Sequence, residues 1–348
     1  MKTWHISRST GILAILIAVA LVLAACGANG SNEVEEGAAS EEDITIGYFP
    51  NLDHAAGIVG KNEGYFADHL EGKNVDFRDF PNGNDFIQAL NLGEIEMGYV
   101  GPGPAINYFL TGGDVVILSA AANGATLIVA REGSGIESLE DFGGKSFCTP
   151  GNGCTHNVQL EIMLKDIGLK TDRVGGEVEH VSRVNPASTL LQFETGEIDA
   201  TAAPEPWGTY LVEELGAKVV TEWDDVFLGE TLPSVVFVTT REYWEENPEI
   251  IENAVRAHHQ SVQFATQNVP EILEIVNQEI YDLTQTELPM NVLEKAWERM
   301  VISAKTYPEA LQEWADASYA LQFIDEEPNL EGFVDTSIID EIMSGAQG

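Results

Sequence analysis

Short apolar runs, each followed by a Gly-, Pro- or Asn-containing loop and then a helical stretch, recur along the chain from residue 44 onward. Ile44-Thr45-Ile46-Gly47-Tyr48-Phe49 alternates β-branched and small residues, a strand pattern, and Pro50 to His54 reads as the loop that follows. Ala55 to Val59 opens a helix ending near Gly64. Val75 to Phe80 repeats with period two, and Asn84 or Asp85 is placed to cap a helix over 86–92. Strands are predicted at 115–120 and 126–130. A second series starts with Lys145 to Asn152, followed by a helix from about Thr155, a helix over 188–193 and a strand over 217–220. Ser234 to Thr240 is a strand with no place in that second series and reads as the chain returning to the first. Residues 242–322 are mostly helical in pattern, with Trp297, Met300, Val301, Trp314 and Leu321 at core-facing spacings. Strands alternating with helices predict an α/β fold of mostly parallel sheets flanked by helices.

The two series echo each other. Gly93-Glu94-Ile95-Glu96 leads through a short strand into Gly101-Pro102-Gly103-Pro104. Gly196-Glu197-Ile198-Asp199, 103 positions later, leads through another short strand into Pro204-Glu205-Pro206-Trp207. Proline has no N–H to give a ladder, so each pair of prolines ends its strand and starts a helix. Two α/β halves with loops at strand C-terminal ends predict a crevice between them. The expected limits are a first lobe of residues 43–132 and 236–348, with a second lobe, 133–235, inserted between them as a hinged clamshell.

Lys2 and Arg8 precede an apolar stretch, Gly11 to Ala25, that is short for a membrane span and fits the core of an export signal. It ends Leu23-Ala24-Ala25-Cys26, which resembles the bacterial lipoprotein signal. The resemblance implies cleavage of residues 1–25 and lipidation at Cys26. Residues 26–42, small, polar and acidic, read as a flexible tether.

The 348-residue chain carries a formal charge of −40, from 17 Lys+Arg against 57 Asp+Glu. That surface is repelled by nucleic acid and anionic lipid, and reads as a solvation device because the acids are dispersed. No GxSxG, Walker loop, HExxH or Cys-x-x-Cys occurs, and Cys154, His156 and His54 match no standard metal spacing. No cofactor or metal is expected. Cys148 and Cys154, six residues apart in a chain read as exported, are a candidate disulfide.

Gly-Tyr-Val-Gly-Pro-Gly-Pro-Ala (98–105), the run 143–158 and Pro-Glu-Pro-Trp-Gly (204–208), together with the lipoprotein signal, resemble the solute-binding proteins of ABC importers. Within that family the chain resembles the nitrate/sulfonate/taurine branch, which includes binders of thiamine precursors. The resemblance implies an extracytoplasmic, cell-membrane lipoprotein that is monomeric, is not an enzyme, and delivers a small solute to a membrane permease. Where sulfonate-type members read Gly-Asn-Thr-Gln-Asp, this chain reads Gly153-Cys154-Thr155-His156-Asn157.

Four loops are expected to face the crevice: 50–56, 101–105, 151–157 and 204–208. Candidate ligand contacts are Asn51, Asp53, His54, Gly101, Pro102, Asn123, Cys154, Thr155, His156, Glu205 and Trp207. Helix N-termini in these loops would hold a sulfonate or nitrate without Lys or Arg, and none of the loops contains either. Asp53 and Glu205 would instead bind an amine, with Tyr48, Tyr99 and Trp207 as apolar or cation–π walls. A sulfonate or taurine-like anion, a thiamine-precursor-like heteroaromatic and an amine all remain open, as does an exported enzyme using the same crevice.

Overall fold

The computed structural model describes residues 43–345; the expected signal segment 1–25, the tether 26–42 and Cys26 lie outside the described residues. Strands β1 (Asp43–Tyr48), β2 (Asn74–Asp79), β3 (Met97–Val100) and β4 (Val116–Gly124) belong to one sheet. Then β5 (Thr126–Ala130), β6 (Ser146–Cys148), β7 (Glu179–Val181), β8 (Ala200–Pro204) and β9 (Lys218–Thr221) form a second. Finally β10 (Pro233–Thr239) and β11 (Met300–Ile302) return to the first. The orders are β11-β4-β10-β3-β1-β2 and β7-β6-β8-β5-β9. The result is an α/β molecule of two lobes, each a sheet flanked by helices.

Both sheets are mixed, where the sequence pattern suggested mostly parallel ones. β1 runs parallel to β2 and β3, and β6 parallel to β7 and β8, each through a helical crossover. β10 is antiparallel to β3 and β4, and β5 antiparallel to β8 and β9. The cause is the passage between lobes. Ala125, in the left-handed region at φ 61°, is the one residue separating β4 from β5. The chain therefore enters the second sheet directly, without the crossover helix that parallel pairing requires. β10 comes back from the other lobe and enters the first sheet from the opposite end.

The same passage corrects the expected boundaries. The strand 126–130, assigned by pattern to the first lobe, pairs wholly in the second sheet. Pro233 and Val235, assigned to the second, pair with Asn123 and Ala122 in the first. β10 is the central strand that the pattern of 234–240 suggested would return. It is buried on both faces, with Val235 and Phe237 in one core cluster and Val236 and Val238 in another. β5 divides the same way, Leu127 and Val129 to one side, Ile128 and Ala130 to the other.

The helix Gly83–Asn91 is capped by Asn82, whose side-chain oxygen accepts from Asp85 N at 3.0 Å, rather than by Asn84 or Asp85. The helices Pro248–Gln267 and Val269–Thr284 cover one face of the first sheet, and Pro308–Ala320 covers the other. Trp314 of that last helix packs in one cluster with Val158 and Ile162 of the second lobe's helix Thr155–Asp166.

Candidate functional site

Each parallel strand ends in a loop on the same side of its sheet, and six such loops meet between the lobes. After β1 come Phe49, Pro50, Asn51, Asp53 and His54; after β2, Phe80 to Gly83; after β3, Gly101 and Pro104. From the second lobe come Pro150, Cys154, Thr155 and His156 after β6, Asn185 and Pro186 after β7, and Pro204 at the end of β8 with Trp207 beyond it. With Ser234 of β10 they enclose a cavity of about 50 Å³. All four loops expected from sequence take part. The third pair, after β2 and β7, is absent from the sequence expectation: β7 has only three residues, too few for a strand pattern to register. Each of the six loops places one proline in the wall: Pro50, Pro81, Pro104, Pro150, Pro186 and Pro204.

Of the candidates, Asn51, Asp53, His54, Gly101, Cys154, Thr155, His156 and Trp207 line this cavity, while Pro102, Asn123 and Glu205 do not. Pro102 is the first residue of the helix Pro102–Leu110. Asn123 lies in β4 and donates through Nδ2 to Thr231 O at 3.2 Å. Glu205 is fully buried behind the wall, where both its carboxylate oxygens are taken by Thr209, at 3.0 Å from the backbone N and 2.9 Å from Oγ1. Tyr48 and Tyr99 are core residues rather than walls. Tyr48 O–H bonds Glu279, and Tyr99 O–H meets His258 Nδ1 at 3.0 Å.

The lobes touch along the cavity. Leu52 N donates to Glu205 O at 2.9 Å, Trp207 Nε1 to Asn51 Oδ1 at 2.8 Å, and Gly103 N to Thr155 Oγ1 at 3.2 Å. Asn107 Nδ2 donates to Gly153 O at 2.8 Å. Arg173 of the second lobe donates to Leu321 O at 2.8 Å and stacks on Phe323, 3.7 Å from the ring centre.

The electrostatics are those of a buried, cation-free chamber. Its lining contains no Lys or Arg. Burial pushes the Asp53 carboxyl up to about 7, with the Glu205 carboxylate adding to the shift and Ser234 and a backbone contact opposing it. Asp53 Oδ1 and Ser234 Oγ are both buried at this cavity and, among the described residues, neither makes a hydrogen bond; Ser234 is near enough to Asp53 to oppose the shift without closing that bond. Burial holds His54 down at about 3 and His156 at about 4, so both rings are neutral. His54 Nδ1 accepts from Phe49 N at 3.4 Å, and His156 Nε2 is buried without a partner.

Cys148 and Cys154 are free thiols, which corrects the candidate disulfide. Cys148 points into a core cluster of the second sheet and faces Thr189 Oγ1 at 3.8 Å. Cys154 immediately precedes the helix Thr155–Asp166 and faces the cavity. β6 ends at Cys148 and the chain turns before reaching Cys154, so the two side chains occupy different compartments. Burial raises both thiols above the usual range, which leaves Cys154 a poor nucleophile.

The model of the NMT1-like family matches residues 37–277. Proteins of Brucella abortus named as binding proteins are 27% identical over 62% of this chain, which spans 65% of their own length. A Bacillus subtilis protein named for binding aliphatic sulfonates is 24% identical over 94% of this chain and 95% of its own. Among solved structures, the alkanesulfonate-binding protein from Xanthomonas axonopodis pv. citri bound to MOPS superposes with a TM-score of 0.73 at 19% identity, over 86% of this chain and 99% of that one. The nitrate-binding protein of Synechocystis PCC 6803 gives 0.70 at 13%, over 88% and 90%. These neighbours share the two-lobed fold, and the match across residues 37–277 places this chain in the NMT1-like family.

Proposed function

We propose that this protein is the extracytoplasmic solute-binding component of an ABC importer, holding a small organic solute between its lobes and presenting the closed form to a membrane permease. The observation that carries this is the convergence of six strand-end loops from two sheets on one cavity crossed by lobe-to-lobe hydrogen bonds. A ligand that touches both lobes stabilises the shut state over the open one, which is how such a receptor signals occupancy. The lobes divide at Ala125 and across residues 222–232, the two connections about which closure would turn. Lipidation at Cys26 would hold the body at the membrane surface through the tether 26–42.

The solute class favoured by the relatives' names is an aliphatic sulfonate, a class that includes taurine. The N-terminus of the helix Thr155–Asp166, whose first N–H groups have no intrahelical acceptor, is where such a headgroup would sit. A heteroaromatic or amine is the second reading, favoured by the unpaired Asp53. Burial raises the Cys154 thiol, which supports a binding role over a cysteine-nucleophile reaction in this cavity.

The test is calorimetric titration of the purified chain with alkanesulfonates, taurine, nitrate, aminopyrimidines and simple amines, followed by mass spectrometry of the released solute. Saturable one-to-one binding with the solute returned unchanged is expected. A chemically altered solute would make the protein an enzyme, and no binding across the panel would remove the receptor assignment.

A further inference from the structure

We infer that the solute this cavity receives presents a nitrogen-borne hydrogen, as an ammonium or a ring amine, to Asp53; this rests on the solute-binding function proposed above and specifies the ligand's chemistry.

Three independent features converge. First, Asp53 is 2% exposed, lines the cavity and leaves Oδ1 without a partner. Buried carboxylate oxygens are nearly always satisfied by the protein, so an orphan on a residue that lines a ligand cavity, beside the equally unpaired Ser234 Oγ, points to a ligand group that completes the pair. Second, nothing in the chamber supplies a counter-charge. Lys and Arg are absent from the lining, and His54 and His156 are neutral.

Third, most of the loops that could cradle a bare anion have lost their backbone donors. Pro102 and Pro104 have no N–H, and Gly103 N is already given to Thr155 Oγ1 at 3.2 Å. Pro186 begins its helical turn, and Pro206 precedes Trp207, where Thr209 N is taken by Glu205 at 3.0 Å. The helix beginning at Gly83 gives Asp85 N to Asn82 and carries the Asp85 carboxylate in its own first turn, which repels an anion there. The helices beginning at Thr155 and Trp207 have first turns free of acids, and of these the Trp207 helix gives Thr209 N to Glu205. The chamber thus offers a simple anion no fixed cation and few open backbone N–H groups at Pro102–Pro104 and Pro186, while Asp53 Oδ1 stands open as an acceptor. A solute with an amine at Asp53 and, where it also has an acidic group, that group at the Thr155 helix satisfies both sides.

An ionised Asp53 paired with an ammonium also changes the proton count. The free site holds its proton near neutrality, with His54, His156, Cys154 and Glu205 as the titratable neighbours. Binding an ammonium ligand therefore expels the fraction of a proton that Asp53 holds at that pH, about half at pH 7.

The experiment uses matched probes that differ only in the amine: taurine against ethanesulfonate, and 4-aminopyrimidine against pyrimidine. Each is titrated calorimetrically into the full chain at neutral pH, in two buffers of different ionisation enthalpy. In the pair that binds, the amine member is expected to bind about tenfold tighter or more, the range of a charge-assisted hydrogen bond. Taurine binding is expected to release that fraction of a proton, seen as a buffer-dependent heat. Asp53→Asn should erase both the preference and the proton release. Equal binding within both pairs, or tighter binding of the des-amino member, overturns the inference and leaves the receptor function standing. Absence of binding by every probe overturns both. Because the matched-pair comparison is made on the natural chain, it decides the matter even if Asp53→Asn fails to fold.

Discussion

Trp207 Nε1 donates to Asn51 Oδ1 at 2.8 Å, joining the two lobes through side chains that both line the cavity. Trp207 is 1% exposed and stands at the start of the helix Trp207–Leu215, so its ring is positioned by the second lobe before it meets the first. Trp207→Phe keeps an aromatic wall and removes the N–H, leaving the Asn51 oxygen buried and unpaired. That loss should weaken solute binding by about tenfold, from roughly 1–2 kcal/mol for an unsatisfied neutral acceptor. A double-mutant cycle with Asn51→Ala measures the coupling. If Trp207→Phe costs as much in the Asn51→Ala background as in the natural chain, the bond contributes nothing to closure.

The buried acids and the buried histidines oppose one another in acid. Asp53 and Glu205 have native pKa values raised to about 7, so between about pH 4 and 7 the folded state binds more protons than the unfolded one. Their contribution to stability is full at the acid end of that window and declines as pH rises through it. His54, His156, His180 and His258 are held at about 3 to 4, so the folded state binds fewer protons there, and their contribution rises with pH up to about 6.5. The two effects are separable by mutation. Asp53→Asn removes one titrating acid, so its melting temperature relative to the natural chain should climb as pH goes from about 4 to 7 and then level off. A pH-independent difference, read by scanning calorimetry in unliganded protein, would mean that Asp53 does not titrate in that window.

Much of this site can be read from residue order. Strand–loop–helix units repeat at 44–60, 97–110, 146–166 and 200–215, and prolines at strand ends are visible without coordinates because proline cannot continue a ladder. That is enough to bring Asn51, Asp53, His54, Cys154, Thr155, His156 and Trp207 into one crevice.

The remainder is set by tertiary pairing. The loops at 80–83 and 185–186 follow strands whose ends are fixed by neighbours in the sheet, and β7 has no apolar alternation to announce it. Glu205 reads as a ligand contact in the sequence because it sits between two prolines, yet its carboxylate turns away to Thr209. Tyr48 and Tyr99 alternate in their strands onto the core face, a direction that a one-residue register difference would have reversed.

Arg299 ties the lobes together behind the cavity. Its Nη1 donates to Thr209 Oγ1 at 2.7 Å, and Nε and Nη2 hold both oxygens of Glu222 at 3.0 and 3.1 Å. Thr209 in turn donates to Glu205 Oε1 at 2.9 Å, so the guanidinium reaches the buried acid through one hydroxyl. Arg299→Met should destabilise the protein by about 1–3 kcal/mol, because Thr209 and Glu205 lose their nearest cation inside the fold. Glu222→Gln, at a half-exposed side chain, should cost less than about 1 kcal/mol. Urea unfolding of both variants checks the asymmetry. Equal losses would place the whole effect in the Arg299–Glu222 pair and leave Glu205 uninvolved.

Gly103 sits where the two lobes meet at the cavity's edge. A Cβ added there would lie 2.6 Å from Thr155 N, 2.8 Å from Trp314 Cζ2 and 3.0 Å from the carbonyl carbon of Cys154. The Thr155 and Cys154 atoms belong to the second lobe's backbone and cannot rotate aside as a side chain would. Gly103→Ala must therefore push the start of the helix Pro102–Leu110 away from the start of the helix Thr155–Asp166, breaking the Gly103 N to Thr155 Oγ1 bond. Overpacking of this kind costs about 1–3 kcal/mol, here set against the closed state, so solute affinity should fall by roughly 5- to 150-fold. Each sheet keeps its own core, so the unliganded melting temperature should change much less than the ligand-induced shift. Small-angle scattering with and without saturating solute separates the alternatives: a variant that contracts on binding as the natural chain does, with the same affinity, would show that closure does not need this contact.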